Sequence, residues 1–248
     1  MIEVFLGFDS RETIAFQVAS HSIQKYSSRP VSITPLMLAQ LEGIFSRPRD
    51  PRQSTDFSFT RFLVPYLCNY SGWAIFADCD ILVLDDIVKL WELRDERYAV
   101  QVVKHQHIPV ESHKFLGHVQ TVYDKKNWSS LMLFNNALCR ALTLDYVHQA
   151  SGLALHQFHW LQDDSLIGSL PHRWNHLVDY DLQLPINEVS LLHFTQGGPW
   201  FEQYKDCGYS DVWRQELHEM LAPLQGGRDE MIEMGERTMV NALAELPA

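Results

Sequence analysis

Two aspartates separated by one residue, Asp78-Cys79-Asp80, close the apolar run Trp73-Ala74-Ile75-Phe76-Ala77. That run is short and Ala74 to Ala77 carries no polar side chain, which predicts a strand covered on both faces in a parallel α/β sheet. Side chains alternate along a strand, so Asp78 and Asp80 are expected to point the same way. Carboxylates held side by side repel each other and lose hydration unless a cation sits between them. Open α/β sheets place ligands at the carboxyl ends of their strands. A divalent metal ion is therefore the economical explanation of the pair.

Other residues could serve such a site. Asp9 follows an opening strand, Ile2 to Phe8, and precedes a periodic apolar run through Ile14, Val18 and Ile23; it either caps that helix or faces a nucleotide at the turn after the first strand. Ser10 reads as a cap, and the absence of G-x-G-x-x-G after the strand removes the dinucleotide fingerprint. Arg61 lies in Ser54–Leu67, a predicted helix behind a Ser/Thr/Asp cap. It is either a surface arginine with a buried stem or, aimed into a cleft beside the aspartates, a fork for pyrophosphate oxygens. Lys104 ends the strand Tyr98–Val103 and is a candidate phosphate or acceptor contact. Ser130, in Trp128-Ser129-Ser130, leads into a buried strand through Asn135, where small hydroxyl residues let a ligand approach closely. Asp163 and Asp164 stand between aromatic and apolar residues and by themselves read as a helix cap. An apolar strand, Leu191 to His193, delivers a histidine, and Gly197-Gly198 forms a flexible turn whose backbone amides could approach a phosphate.

The elements that must hold these residues alternate strand and helix along 248 residues, 46% hydrophobic and 12% aromatic. This is enough to bury one large α/β domain over 1–248, with a core to about residue 201 and a helical C-terminal segment over 202–248. Further expectations are a strand over Pro30–Leu36, an exposed loop able to act as a lid over Arg47–Thr55, helix caps at Asp85 and Asp86, and a helix over Leu144–Leu155. A formal net charge of -11 argues against nucleic acid or an anionic membrane surface as the main partner. No apolar window approaches the roughly 20 residues of a membrane span, and no signal segment opens the chain, so a cytoplasmic protein is expected. Cys68, Cys79, Cys139 and Cys207 show no zinc or disulfide spacing and read as reduced thiols, with Cys79 turned back into the core. His105, His107, His113 and His118 crowd together, but their spacing fits no familiar zinc pattern and the chain holds 12 histidines. No separate zinc site is assigned to that stretch.

In this order the pieces resemble the retaining glycosyltransferases of family 8, nucleotide-sugar enzymes with the GT-A fold, from about Ile2 to Phe201. Phe76-Ala77-Asp78-Cys79-Asp80 is similar to the family's F-x-D-x-D metal motif, and Leu192-His193-Phe194-Thr195 ahead of Gly197-Gly198-Pro199-Trp200 to its late histidine motif. The resemblance implies a mostly parallel, Rossmann-like sheet flanked by helices. It also implies Mn²⁺, with Mg²⁺ as the alternative, bound by Asp78, Asp80 and His193 and bridging the diphosphate of a UDP-sugar. One imidazole among oxygen ligands leans toward Mn²⁺. Asp9 matches the position that recognises uracil, Arg61 the one near diphosphate and sugar, and Asp163-Asp164 the acidic segment around the transferred sugar. The resemblance further implies retention of anomeric configuration and an acceptor that is a carbohydrate, a lipid-linked group or a protein. Asp163 or Asp164 would act as nucleophile or, the reading favoured here, stabilise an oxocarbenium-like state. Two departures stand out: Trp128-Ser129-Ser130 replaces a frequent Asn-Ser-Gly, and Gly197-Gly198 replaces a frequent lysine, which leaves phosphate charge to backbone amides and to Arg61 or Lys104. A haloacid dehalogenase-like phosphohydrolase, with the first aspartate as nucleophile, is the competing enzyme class. Against it, a whole β-turn-α unit precedes Asp78 and no threonine follows the D-x-D. An inactive nucleotide-sugar-binding module is the third reading.

Overall fold

The computed structural model describes residues 1–49, 53–106 and 125–222, with the backbone of two paired strands at 113–114 and 118–119. The chain runs β1 (Ile2–Gly7), α1 (Thr13–Lys25), β2 (Val31–Leu36), α2 (Val64–Leu67), β3 (Trp73–Ala77), β4 (Ile81–Val83), α3 (Ile87–Trp91) and β5 (Val100–Val102). The small strands β6 (His113–Lys114) and β7 (His118–Val119) precede β8 (Leu131–Asn135), α4 (Leu144–Gln149), α5 (Gly152–His156), β9 (Ile167–Ser169), β10 (His176–Leu177) and β11 (Leu191–His193). A last helix, α6, covers 210–222. The rest of the expected C-terminal segment lies outside the described residues.

The main sheet has the order β2-β1-β3-β8-β5-β9. Only β8 runs against its neighbours, antiparallel to β3 and β5, while β1 pairs in parallel with β2 and β3, and β5 with β9. This is the mostly parallel α/β architecture expected. Ala74 to Ala77 and all of β8 are buried, as two-sided coverage requires of these runs, apolar except for Asn135 at the end of β8. The carboxyl end of β3 departs from the expectation. The strand stops at Ala77, the backbone bends through Asp78 to Asp80, and β4 leaves into a second sheet of order β10-β11-β4. Asp78 and Asp80 therefore sit on a corner between two sheets, and the alternation of a strand does not govern them. Asp78 N–H donates to Ser130 O at 2.9 Å, tying the corner to the start of β8.

Helix α1 bridges both cores. Phe16, Ala19 and Ile23 pack into the main cluster beneath the six-stranded sheet, whereas Val18 joins Leu82, Val178, Leu192, Phe194 and Trp213 behind the smaller one. Ser54–Leu67 becomes helical only from Thr60: a 3-10 turn at Thr60–Leu63 runs into α2, where Pro65 occupies the first turn. Before it, the Ser58 hydroxyl donates to Thr55 O, a local bond that competes with helix formation. The helix expected over Leu144–Leu155 is two helices, because Thr143 and Ser151 each cap one by accepting the N–H three residues on. The flanks of the expected exposed loop are docked. Arg47 donates to Val147 O and Ala150 O and lies 3.8 Å over the Phe59 ring, and Arg49 pairs with Asp56. Residues 50–52 lie outside the described residues. Asp86 caps α3 through Val88 N–H as expected, all four cysteines are free, and Cys79 is fully buried. Among the described residues no helix is long and apolar enough to cross a membrane.

Candidate active site

The pairing of β4 with β11 builds the centre of the site. Its antiparallel register sets His193 opposite Ile81, and Phe194 N–H donates to Asp80 O at 2.8 Å. A residue more than 110 positions away is thereby held beside the Asp78-Cys79-Asp80 corner. One ligand atom from each of Asp78, Asp80 and His193 lies within 4.8 Å of the others. His193 Nε2 is 3.3 Å from Asp80 Oδ1.

The orientation of that imidazole is fixed from behind. Asn175 Nδ2 donates to Ser130 Oγ at 2.9 Å, so the amide presents Oδ1 to His193 Nδ1, 3.0 Å away. An oxygen acceptor there requires the proton on Nδ1, which directs the Nε2 lone pair at Asp80. Asp80 Oδ1 is itself buried and accepts no hydrogen bond. Two lone pairs facing each other in a buried site are unfavourable until a cation lies between them. The residues therefore fit a divalent ion, with Asn175 as the outer partner that aims a metal-binding histidine.

Arg61 is buried. Its Nη1 lies 2.8 Å from Asp78 Oδ1 and donates to Ser129 O at 2.9 Å, and its guanidinium stands 5.2 Å and 5.1 Å from the Phe57 and Phe76 ring centres. Of the two readings of Arg61, the surface residue is not the arrangement observed. Ser130 Oγ, besides accepting from Asn175, donates to Asn127 O at 2.7 Å, so the hydroxyl belongs to the network behind His193.

Asp9 is fully buried and caps the Ser10–Glu12 turn by accepting from Arg11 N–H. Its Oδ1 takes Arg11 N and Nε, and its Oδ2 takes Arg11 Nη2 and Asp56 N. Burial by itself would raise the Asp9 carboxyl, but these bonds, Arg11 foremost, hold it below the ordinary value. Beneath the corner lies Glu12, which sequence reasoning did not single out. Burial, with the charges of Asp80, Asp9 and Asp78 adding to it and Arg11 opposing, pushes its carboxyl up to about 9. Cys79 Sγ lies 3.9 Å from Glu12 Oε2. The available signal was the Asp9-x-x-Glu12 spacing of a capping box.

The remaining candidates have other surroundings. Lys104 is exposed beyond β5, with Nζ 5.6 Å from the Trp128 ring centre. Asp163 accepts from Ser165 N–H at 2.6 Å, and that bond lowers its pKa; Asp164 pairs with Lys125 Nζ at 2.6 Å. Both aspartates are exposed on the turn before β9. Gly197 has φ +122 and its N–H donates to Phe194 O at 2.8 Å, so that amide is used within the turn. A Cβ on Gly198 would meet the Trp200 ring at 2.1 Å. The glycine pair is therefore required for aromatic packing against the turn, whatever else it contacts.

Comparisons with known proteins give the family and the fold. The model of "Glycosyl transferase family 8" matches residues 10–142. Protein CDI of Arabidopsis thaliana is 44% identical over 223 residues, covering 87% of this chain and 86% of that protein. The apo-form glycosyltransferase GlyE of Streptococcus pneumoniae TIGR4 has a TM-score of 0.57 at 14% identity, covering 92% of this chain and 63% of its own. The galactosyltransferase LgtC, solved with donor and acceptor sugar analogs, has a TM-score of 0.55 at 11% identity, covering 88% and 96%. The bifunctional glycosyltransferase WbbM gives 0.56 at 14%, and this chain spans about half (49%) of its length. At these identities the solved structures show the fold, which is of GT-A type. With the family model over more than half of its length and a 44% identical relative matched over 87% of it, the chain belongs to glycosyl transferase family 8.

Proposed function

We propose that this glycosyltransferase moves a hexose from a UDP-sugar with retention of configuration, and that it depends on Mn²⁺, or alternatively Mg²⁺, bound by Asp78, Asp80 and His193. The observation that carries this reading is the convergence of the three ligand atoms, with the buried Asp80 Oδ1 facing the His193 Nε2 lone pair. A cation held there neutralises charge on the diphosphate as the glycosyl bond breaks. Arg61, anchored on Asp78, presents guanidinium charge to the same oxygens. Asp9, after β1, would recognise uracil once Arg11, which occupies both of its oxygens, releases one of them. Ser130 holds Asn175, the Gly198 amide is the part of the Gly197-Gly198 turn offered to a phosphate, and Lys104 is an exposed contact for phosphate or acceptor. Asp163 and Asp164 stabilise positive charge on the transferred sugar while the acceptor attacks from the side of departing UDP. The acceptor is a carbohydrate, a lipid-linked group or a protein.

The phosphohydrolase reading is not favoured, since the D-x-D follows β3 and not β1 and the family match is to glycosyltransferases. The decisive test is a screen of UDP-sugars, UDP-galactose first because LgtC is a galactosyltransferase, for hydrolysis with and without Mn²⁺. Mn²⁺-dependent release of UDP from one donor is expected. Hydrolysis of simple phosphate esters without UDP-sugar turnover would favour the phosphohydrolase, and UDP binding without turnover of any donor the binding module.

A further inference from the structure

A second group of metal-ligating side chains shares no residue with the Asp78, Asp80 and His193 set. His105 arrives just past β5, His172 opens the 3-10 turn at His172–Trp174, His176 begins β10, and Asp181 follows that strand. One ligand atom each of His105, His172 and Asp181 lies within 4.8 Å of the other two. His172 Nε2 is 3.3 Å from Asp181 Oδ2, and His176 Nδ1 is 3.9 Å from the same oxygen. Asp181 Oδ2 also accepts Leu177 N–H at 2.7 Å, which fixes the carboxylate toward the imidazoles.

Two atoms here are difficult to explain without a ligand. His105 is 8% exposed and His176 1%, yet His105 Nε2 and His176 Nδ1 are both buried with no hydrogen-bond partner. A buried imidazole nitrogen left unpaired costs free energy whether it carries a proton or a lone pair. The His105 and His172 rings meet edge to face at 5.3 Å, and those of His172 and His176 at 6.2 Å, so three imidazoles crowd one carboxylate. His105 lies three residues past the end of β5 and is buried. Its backbone is pinned by Trp128 Nε1, which donates to His105 O at 2.9 Å.

We propose that His105, His172 and Asp181, with His176 as the fourth donor, form a second divalent-cation site that takes Zn²⁺. An imidazole-rich set with one carboxylate suits Zn²⁺, in contrast to the oxygen-rich set at Asp78 and Asp80. The site has a structural consequence. The segment it would clamp, 172–181, carries Asn175 and pairs β10 with β11 at Leu177 and His193. Zn²⁺ would therefore fix the strand paired with the one that carries His193.

The test is Zn²⁺ binding by the full chain, purified without a histidine tag and stripped with chelator. Asp80→Asn serves as the background that disables the first site, and bound metal is read by elemental analysis and calorimetry. The Asp80→Asn chain should still take one Zn²⁺. Adding His172→Ala, or Asp181→Asn should the first fold poorly, should weaken that binding roughly a hundredfold. Substituting Co²⁺ should give tetrahedral visible bands in the Asp80→Asn chain that vanish with His172→Ala. His172 and Asp181 are partly exposed, so circular dichroism should show both variants folded. No Zn²⁺ uptake by the Asp80→Asn chain, or uptake indifferent to both substitutions, overturns the site.

Discussion

The amide oxygen of Asn175 stands 3.0 Å from His193 Nδ1, while the opposite nitrogen of the same imidazole faces Asp80 Oδ1 at 3.3 Å. The tautomer of the histidine, and hence its ability to donate a lone pair toward the aspartates, is decided by an amide 18 residues away on a different element.

Asn175→Ala is expected to weaken Mn²⁺ binding, and activity with it, by roughly 10–100-fold, the usual cost of removing an outer-shell partner. Asn175→Asp keeps an acceptor for Nδ1 and should recover part of the loss. Mn²⁺ titrations of the folded variants check this, and an Asn175→Ala protein with parental Mn²⁺ affinity would show that the amide does not orient the ring.

Arg61 and Asp78 are 7% and 13% exposed at their side chains and 2.8 Å apart. Removing one partner of a buried pair strands the other, so Arg61→Ala should cost roughly 3–5 kcal/mol in urea unfolding of the chelated protein. A loss of less than about 1 kcal/mol, the range of exposed pairs, would mean that water screens this one.

Asp9 predicts a pH dependence with a definite sign. Its folded-state pKa lies below the unfolded one, so its bonds to Arg11 and Asp56 contribute fully above the ordinary carboxylate value of 3.8. They are lost as pH falls through the lowered folded value. Parent and Asp9→Asn should therefore differ most in stability near neutrality, the gap narrowing as pH drops below about 4. Urea unfolding across that range measures it, and a gap independent of pH would contradict the assignment.

How much of this was legible in the chain differs from residue to residue. The buried strands β3 and β8 could be read because Ala74 to Ala77 and Leu131 to Phe134 are apolar throughout, as two-sided coverage demands. The D-x-D and the late histidine stood out through family resemblance, and β4–β11 pairing brings them together. That the aspartates lie on a corner could not be read, since the chain leaves β8 there to pair β4 with β11, more than 100 residues on. Asn175 carries no local signal at all, because its role arises only when Ser130 and His193 converge on it. Glu12 looked like an ordinary acid in a first helical turn, and its burial under Cys79 is a property of the packed molecule. His105 seemed to belong with its sequence neighbours. His107 lies outside the described residues, and the structure sets His105 beside His172 and Asp181, about 70 residues further along.

Calorimetry of UDP binding with and without Mn²⁺ tests whether a cation held by Asp78, Asp80 and His193 is needed for the nucleotide to bind. The parent protein should bind UDP only when Mn²⁺ is present, and Asp80→Ala should lose that binding. UDP affinity that is the same with and without Mn²⁺, or the same in Asp80→Ala as in the parent, would contradict that requirement.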